Sequence, residues 1–244
     1  AIRAGTVCMT QFKGIGLGDS AISILDSLNV MGDYMKKMKI FSDELITEIN
    51  RRATECQSHA ENNNWFMTTV CMAYLFQTFG QKTNISTNNI FKNATEYSWP
   101  ELGDYMNKEI KETLIIIPDN IQHAAEINDV VSSKHVAEMM RPVYSNVDTL
   151  LSYDLQVTVY NGNLDLLITT PGVKRWIDKL QWSGLRDFNN SKKKPFKTSQ
   201  FNPAGFIQSH DNLQFVQVLN SGHMVPYDDH ESALFILKLM LGRN

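Results

Sequence analysis

Leu213-Gln-Phe-Val-Gln-Val-Leu-Asn-Ser-Gly-His-Met-Val-Pro-Tyr-Asp228 is the stretch from which the fold is read. Its first seven residues, Leu213 to Leu219, have the β-branched and aromatic content of a strand. Ser221-Gly222 then make a tight turn that carries His223, and Glu231 to Leu241 has the apolar spacing of a helix, with Ala233, Leu234, Leu237, Met240 and Leu241. A strand, a turn and a helix in that order form one unit of an open α/β sheet. The turn would hold the imidazole beyond the strand end with little freedom. Its free pKa of about 6.5 suits proton transfer near neutral pH. A histidine in a turn that stands alone reads more simply as a surface or loop residue, so its meaning depends on what the chain places beside it.

A second unit lies upstream. Leu155 to Tyr160 reads as a strand, Asn161-Gly162-Asn163 as a turn, and Pro171-Gly172 opens a helix carrying Trp176, Ile177 and Leu180. Asp165 follows that turn. Alone it would pass for a turn cap. Paired with a histidine beyond the next strand, it has the placement of an acid that orients an imidazole, because functional groups of α/β sheets collect beyond the carboxyl ends of the strands.

Further upstream, Val7 to Leu17 predicts a strand, followed by a helix with Ile22, Ile24, Leu25 and Leu28 on its apolar positions and Asp19 or Ser20 as its cap. Ser42-Asp43 starts a helix whose face is Leu45, Ile49, Ala53, Cys56 and Ala60. Another begins near Trp65, with Phe66, Val70, Ala73 and Tyr74 on one face and Gly80 as its stop. Residues 81–100 are polar and read as a loop, Asp104 to Leu114 as a short helix, and Ser132 to Leu151 as a longer one interrupted by Pro142. The excursion at 42–117 is too long for a crossover and reads as an inserted helical cap. That leaves 1–41 and 118–244 as the sheet portion.

Composition narrows the function. The chain has 244 residues, 43% of them hydrophobic, enough for a substantial core. A net charge of −3 gives no electrostatic case for nucleic acid. Lys192-Lys193-Lys194 reads as a solvated loop. No apolar run reaches the ~18 residues of a membrane span. The chain starts without methionine or a signal-peptide pattern, and so is expected to be part of a larger precursor. Sequons at Asn84, Asn93 and Asn189 point to the secretory pathway. Of Cys8, Cys56 and Cys71, the last two flank a turn between helices; a disulfide and free buried thiols both remain open. Gly14-Ile-Gly-Leu-Gly18 lacks the spacing and the Lys-Ser/Thr ending of a phosphate cradle. The remaining histidines show no metal-ligand spacing, so neither metal nor cofactor is expected.

Val157-Thr-Val-Tyr-Asn-Gly-Asn-Leu-Asp-Leu166 resembles the catalytic-acid segment of serine carboxypeptidases. Gly222-His-Met-Val-Pro-Tyr-Asp228 resembles their catalytic-histidine segment. Gly16-Leu-Gly-Asp-Ser20 and Tyr105-Met-Asn107 resemble flanking segments, and the nearest branch is the animal retinoid-inducible or vitellogenic-like one. The resemblance implies the C-terminal part of an α/β-hydrolase, a doubly wound sheet with a helical cap. By it, Asp165 orients His223, His223 is general base and acid, and Met224 lines the leaving-residue side of the pocket. It further implies peptide or protein C-termini as substrates, no cofactor, and a secreted or lysosomal location; a homodimer stays open. The family's nucleophile elbow, Gly-Glu-Ser-Tyr-Gly, has no counterpart here, and no Gly-x-Ser-x-Gly occurs. The serine and oxyanion hole are therefore expected in a preceding N-terminal part, and this chain alone is expected to be inactive. Ser20 reads as a helix cap and not as a substitute nucleophile. A serine-carboxypeptidase-like acyltransferase and a non-catalytic binding or storage homologue are the competing readings.

Overall fold

A computed structural model describes residues 12–96, 100–122 and 133–242. Cys8, Trp99, His123 and the first residues of the strand predicted at 7–17 lie outside them. The strand itself is short: β1 spans Gly14–Gly18. The other strands are β2 (Gln156–Gly162), β3 (Lys194–Phe196), β4 (Gly205–His210) and β5 (Leu213–Val218). They form a five-stranded sheet in the order β1-β2-β5-β4-β3.

The sheet is mixed. β1, β2 and β5 run parallel, with Val157 opposite Leu213 and Val159 opposite Phe215, whereas β4 and β3 run antiparallel at one edge. The sequence reading placed Lys194 in a solvated loop and assigned nothing to 205–210; both segments are strands. β4 joins β5 through the two-residue turn Asp211-Asn212, with Asp211 in the left-handed region at φ 47°. The parallel strands set the position of the site, because β2 and β5 end at the same edge, Gly162 beside Val218.

Side chains alternate across this sheet as the pleat requires. Val157, Val159, Leu213 and Phe215 face the larger core, with Leu28, Met31, Met35, Ile49, Leu75, Phe79 and Trp176. Tyr160, Val216 and Val218 face the smaller one, with Phe196, Val225 and Ile236. Two helices, α1 (Ile24–Met38) and α7 (Thr170–Ile177), pack on each other over the first face. α10 (His230–Met240) lies against β1 and β2 on the second. α1 starts at Ile24 with Ser23 as N-cap residue, so neither Asp19 nor Ser20 caps it. Ser20 Oγ donates to Gly18 O instead. Asp26 of α1 is buried and ion-paired to Arg175 and Lys179, which ties α1 to α7 and the turn after it.

The stretch after α1 holds α2 (Asp43–Glu61) and α3 (Trp65–Lys82). Ser42 caps α2 by accepting from the Leu45 N–H, and the face Leu45, Ile49, Ala53, Cys56 and Ala60 is buried as the spacing predicts. Cys56 and Cys71 form a disulfide that joins α2 to α3. On α3 the expected face is the wrong one. Phe66 and Tyr74 are 52% and 54% exposed, and the buried face is Thr68, Cys71, Leu75 and Phe79. Thr68 and Thr69 tolerate burial because their hydroxyls donate to the carbonyls of Asn64 and Trp65, four residues back. α3 also runs through Gly80. Beyond it, α4 (Pro100–Tyr105), a short π-helix (Met106–Ile110) and α5 (Lys111–Leu114) form one helical stretch. After Pro142, α6 (Tyr144–Leu151) leads into β2. A six-residue helix, α8 (Leu185–Asn190), precedes β3, and a short α9 (Val225–Asp228) follows the histidine turn. No helix among the described residues is long and apolar enough to cross a membrane.

Candidate active site

The turns after β2 and β5 meet at the shared strand end. Nδ1 of His223 lies 2.8 Å from Oδ2 of Asp165. The approach depends on Gly162: a Cβ there would sit 2.0 Å from the Gly222 carbonyl oxygen, so only glycine lets the two turns close. Asp165 is fully buried, and His223 keeps 28% of its side chain exposed. The histidine is thus reachable from outside while its acid is not.

Asp165 is held from both sides. Its Oδ1 accepts the N–H groups of Leu167, 2.7 Å, and Ile168, 3.0 Å, an Asx-type turn that fixes the carboxylate plane. Burial pushes its pKa up, against the pull of His223 and of those two N–H groups. Burial also acts to lower the pKa of His223, but the hydrogen bond and charge of Asp165 outweigh it and hold the imidazole above its ordinary value.

A second carboxyl stands behind the first. Asp19 follows β1 with a left-handed backbone, φ 43°, and is buried. Its Oδ1 accepts from Asn161 Nδ2, 2.8 Å, and from the Gly162 N–H, 2.9 Å. It lies close to Asp165, with a carboxylate oxygen of each within 4.8 Å of the other. Burial, and then the charge of Asp165, raise its pKa well above the usual carboxylate range. Two buried carboxyls this close cannot both ionise easily. Asp165, with His223 and two backbone donors, is the better-stabilised anion, and burial beside it favours the protonated form of Asp19. Asn161, fully buried, donates to Asp19 and to the carbonyl of Ile168, whose N–H is one of the donors on Asp165. Tyr34 closes the rear by donating to the Asn163 carbonyl, 2.8 Å. The sequence marked Asp19 as a cap and Asn161 as a turn residue. Their part in the site comes from β1–β2 pairing between segments 142 residues apart.

One ligand-type atom each from Asp19, Asp165 and His223 lie within 4.8 Å of one another. Within this group Nδ1 of His223 is committed to Asp165. Met224 directly follows His223, half-buried, as N-cap residue of α9. Asn84, Asn93 and Asn189 are all exposed and are not part of the cluster. Asn189 sits in α8, not in a loop, and its side chain bonds to Lys174 and Asp178.

A buried acid and a part-exposed histidine at the carboxyl ends of parallel strands define the α/β-hydrolase class. The fold match agrees: the chain superposes on a structure titled Kex1(delta)p, a prohormone-processing carboxypeptidase from Saccharomyces cerevisiae, with a TM-score of 0.69 at 21% identity, over 94% of this chain and 54% of that one. The family profile described as serine carboxypeptidase matches residues 3–243, and the chain belongs to that family. Curated relatives include the retinoid-inducible serine carboxypeptidase of Mus musculus, 31% identical over 98% of this chain and 59% of that protein. Another is the serine carboxypeptidase-like 51 protein of Arabidopsis thaliana, 28% identical over 94% and 57%. The chain spans about three-fifths of the length of these relatives.

Proposed function

We propose that this chain carries the acid and the base of a serine carboxypeptidase, which removes C-terminal residues from peptides through an acyl-enzyme. The observation that carries the reading is the 2.8 Å contact between His223 Nδ1 and the buried Asp165 carboxylate. With Nδ1 bound to the acid, Nε2 is the nitrogen left for proton transfer. As general base it takes the proton of a serine hydroxyl while the serine oxygen attacks the scissile carbonyl. As general acid it passes that proton to the leaving amine. Asp165 stabilises the imidazolium formed between the two steps. Met224, next to His223, would line the side where the leaving residue sits.

The serine and the oxyanion hole belong, on this reading, to a preceding part of the same protein. Among the described residues β1 is paired on one side only, with β2. A further parallel strand paired with the other side of β1 would end at the same edge as Asp165 and His223. Residues 42–117 then form the cap, and 1–41 with 118–244 the sheet portion. The Cys56–Cys71 disulfide and the exposed sequons at Asn84 and Asn93 support a secretory-pathway or lysosomal setting.

The test is fluorophosphonate labelling of the full-length protein. His223→Ala should abolish labelling of the active-site serine. Undiminished labelling of that variant refutes the assignment of His223, and a wild-type protein that takes no label supports a non-catalytic homologue.

A further inference from the structure

Residues 84–94, polar enough to read as a solvated loop, are packed into the junction of the two catalytic turns. The segment closes on itself. The Ser86 N–H donates to the Lys92 carbonyl, 2.8 Å, the Ala94 N–H to the Asn84 carbonyl, 3.1 Å, and Ile85 bridges Asn93. Its tip is pinned internally by Asx- and Ser-type turns, with the Asn88 N–H on Ser86 Oγ and the Phe91 N–H on Asn89 Oδ1.

That tip touches the acid turn and the histidine turn at once. The Ile90 N–H donates to the Leu164 carbonyl, 3.0 Å, and the Leu166 N–H to the Thr87 carbonyl, 3.0 Å, so Asp165 is bracketed by bonds on the residues either side of it. The Asn88 carbonyl accepts the N–H of His223 itself, 2.6 Å. Next to that bond lies an ionic one. Asp228, its side chain only 2% exposed, accepts from Asn89 Nδ2, 2.8 Å, Lys92 Nζ, 2.9 Å, and the Gly222 N–H, 2.7 Å. A Cβ on Gly222 would lie 2.0 Å from the Asn88 carbonyl oxygen, which shows how closely loop and turn approach.

We propose that loop 84–94 is a positioning clasp for the acid–base pair, with Asn89 and Lys92 acting through Asp228 to fix the backbone that carries His223. The clasp rests on the reading of Asp165 and His223 given above. Its residues are positioning residues, since they reach the imidazole only through Asp228, Gly222 and the Asn88 carbonyl. The chemistry fits that task. A carboxylate that receives one main-chain and two side-chain donors, one of them charged, forms short directional bonds. Catalytic geometry is sensitive at this scale, because a displacement of about 1 Å can cost on the order of 10²-fold in rate. The loop also leaves α3 directly, so the cap and the catalytic turns are mechanically joined through it.

The experiment uses the full-length enzyme with Asn89→Ala, Lys92→Ala, Lys92→Arg and Asp228→Asn. Peptide hydrolysis gives kcat and KM, and the low-field Nδ1–H proton resonance of His223 reports the hydrogen bond to Asp165. Asn89→Ala and Lys92→Ala should each lower kcat about tenfold or more with KM changed less than twofold. Both should broaden or shift the resonance, and Lys92→Arg should restore both readouts. Asp228→Asn, which replaces one accepting oxygen by an NH2 donor set against either Lys92 or the Asn89 and Gly222 donors, should lose the most. Lys92 is partly exposed, so Lys92→Ala keeps the test valid if the Asp228 variant does not fold. Unchanged kcat and an unchanged resonance in Asn89→Ala and Lys92→Ala overturn the clasp. Failure of the underlying reading looks different: the wild-type protein then shows no low-field resonance, and His223→Ala labels normally.

Discussion

Asp19→Asn separates a buried neutral carboxyl from a buried charge, because asparagine is nearly isosteric with protonated aspartate. The Oδ1 of the substituted amide can keep the bonds from Asn161 Nδ2 and the Gly162 N–H, and its Nδ2 is a neutral donor placed near Asp165. In the unfolded chain Asp19 titrates near the usual value of about 3.9. In the fold, burial and then the charge of Asp165 raise it well above that. Between those two values the native protein holds a proton that the unfolded chain has released. Stability from this group is therefore complete below the unfolded pKa and falls as pH rises through the folded one. One proton amounts to about 1.4 kcal/mol per pH unit. In a chain of this size about 1 kcal/mol moves Tm by roughly 2–4 °C, and by less in the longer full-length protein. Thermal melts of the full-length wild type and variant from pH 4 to 8 measure the difference. The two should melt together near pH 4, and the variant should gain by a few degrees per unit as pH rises across the window. Asp19→Ala, which strands two buried donors at a cost of about 1–3 kcal/mol each, should be less stable at pH 4, where Asp19→Asn matches wild type. A Tm difference between Asp19→Asn and wild type that stays flat with pH refutes the neutral-acid argument.

Fluorophosphonate labelling of the wild type should rise with pH through a midpoint above 6.5, because Asp165 outweighs burial at His223. Asp165→Asn should slow labelling by about 10⁴-fold and move that midpoint down. Replacing Cys56 and Cys71 by serine opens a link between positions 15 residues apart and should lower stability by about 3 kcal/mol, read as a drop in Tm against wild type in non-reducing buffer. Trp176→Ala empties a site that is 1% exposed in the larger core and should destabilise by about 3–5 kcal/mol in a denaturant titration.

What the sequence could disclose follows from the range of each interaction. The strands at Gln156–Gly162 and Leu213–Val218 announce themselves because β-branched and aromatic residues recur along them, and α2 because its stripe and its Ser42 cap agree. The edge pair β3–β4 does not. Lys194-Pro-Phe196 is too short for a pattern, and Gly205-Phe-Ile-Gln-Ser-His210 alternates poorly, with Gln208 buried on bonds to the Phe188 and Ser191 carbonyls. The α3 face went wrong for a related reason. Ranking positions by side-chain size favours Phe66 and Tyr74, but the buried stripe is chosen by the partner helix and the Cys56–Cys71 link.

The candidate site divides in the same way. Asp165 and His223 were legible because each follows a readable strand and sits in a recognisable local string. Asp19, Asn161 and the 84–94 clasp were not, because their partners are polar atoms far away in sequence: Asp19 on Asn161 and Gly162, Asn89 on Asp228, Asn88 on His223. Hydropathy treats such residues as solvated by default, and burial of polar groups is permitted only when distant partners satisfy them. A polar segment between helices therefore has two physical meanings, a loop hydrated by water or a loop hydrated by the protein. In this chain Asn88-Asn89 offered a hint, since Asx residues fix turn geometry locally and leave main-chain carbonyls free to face outward. Here the Thr87 and Asn88 carbonyls face the turns of Asp165 and His223, and that orientation is decided by the β2 and β5 ends, which bring Leu164, Leu166 and His223 within reach of one loop.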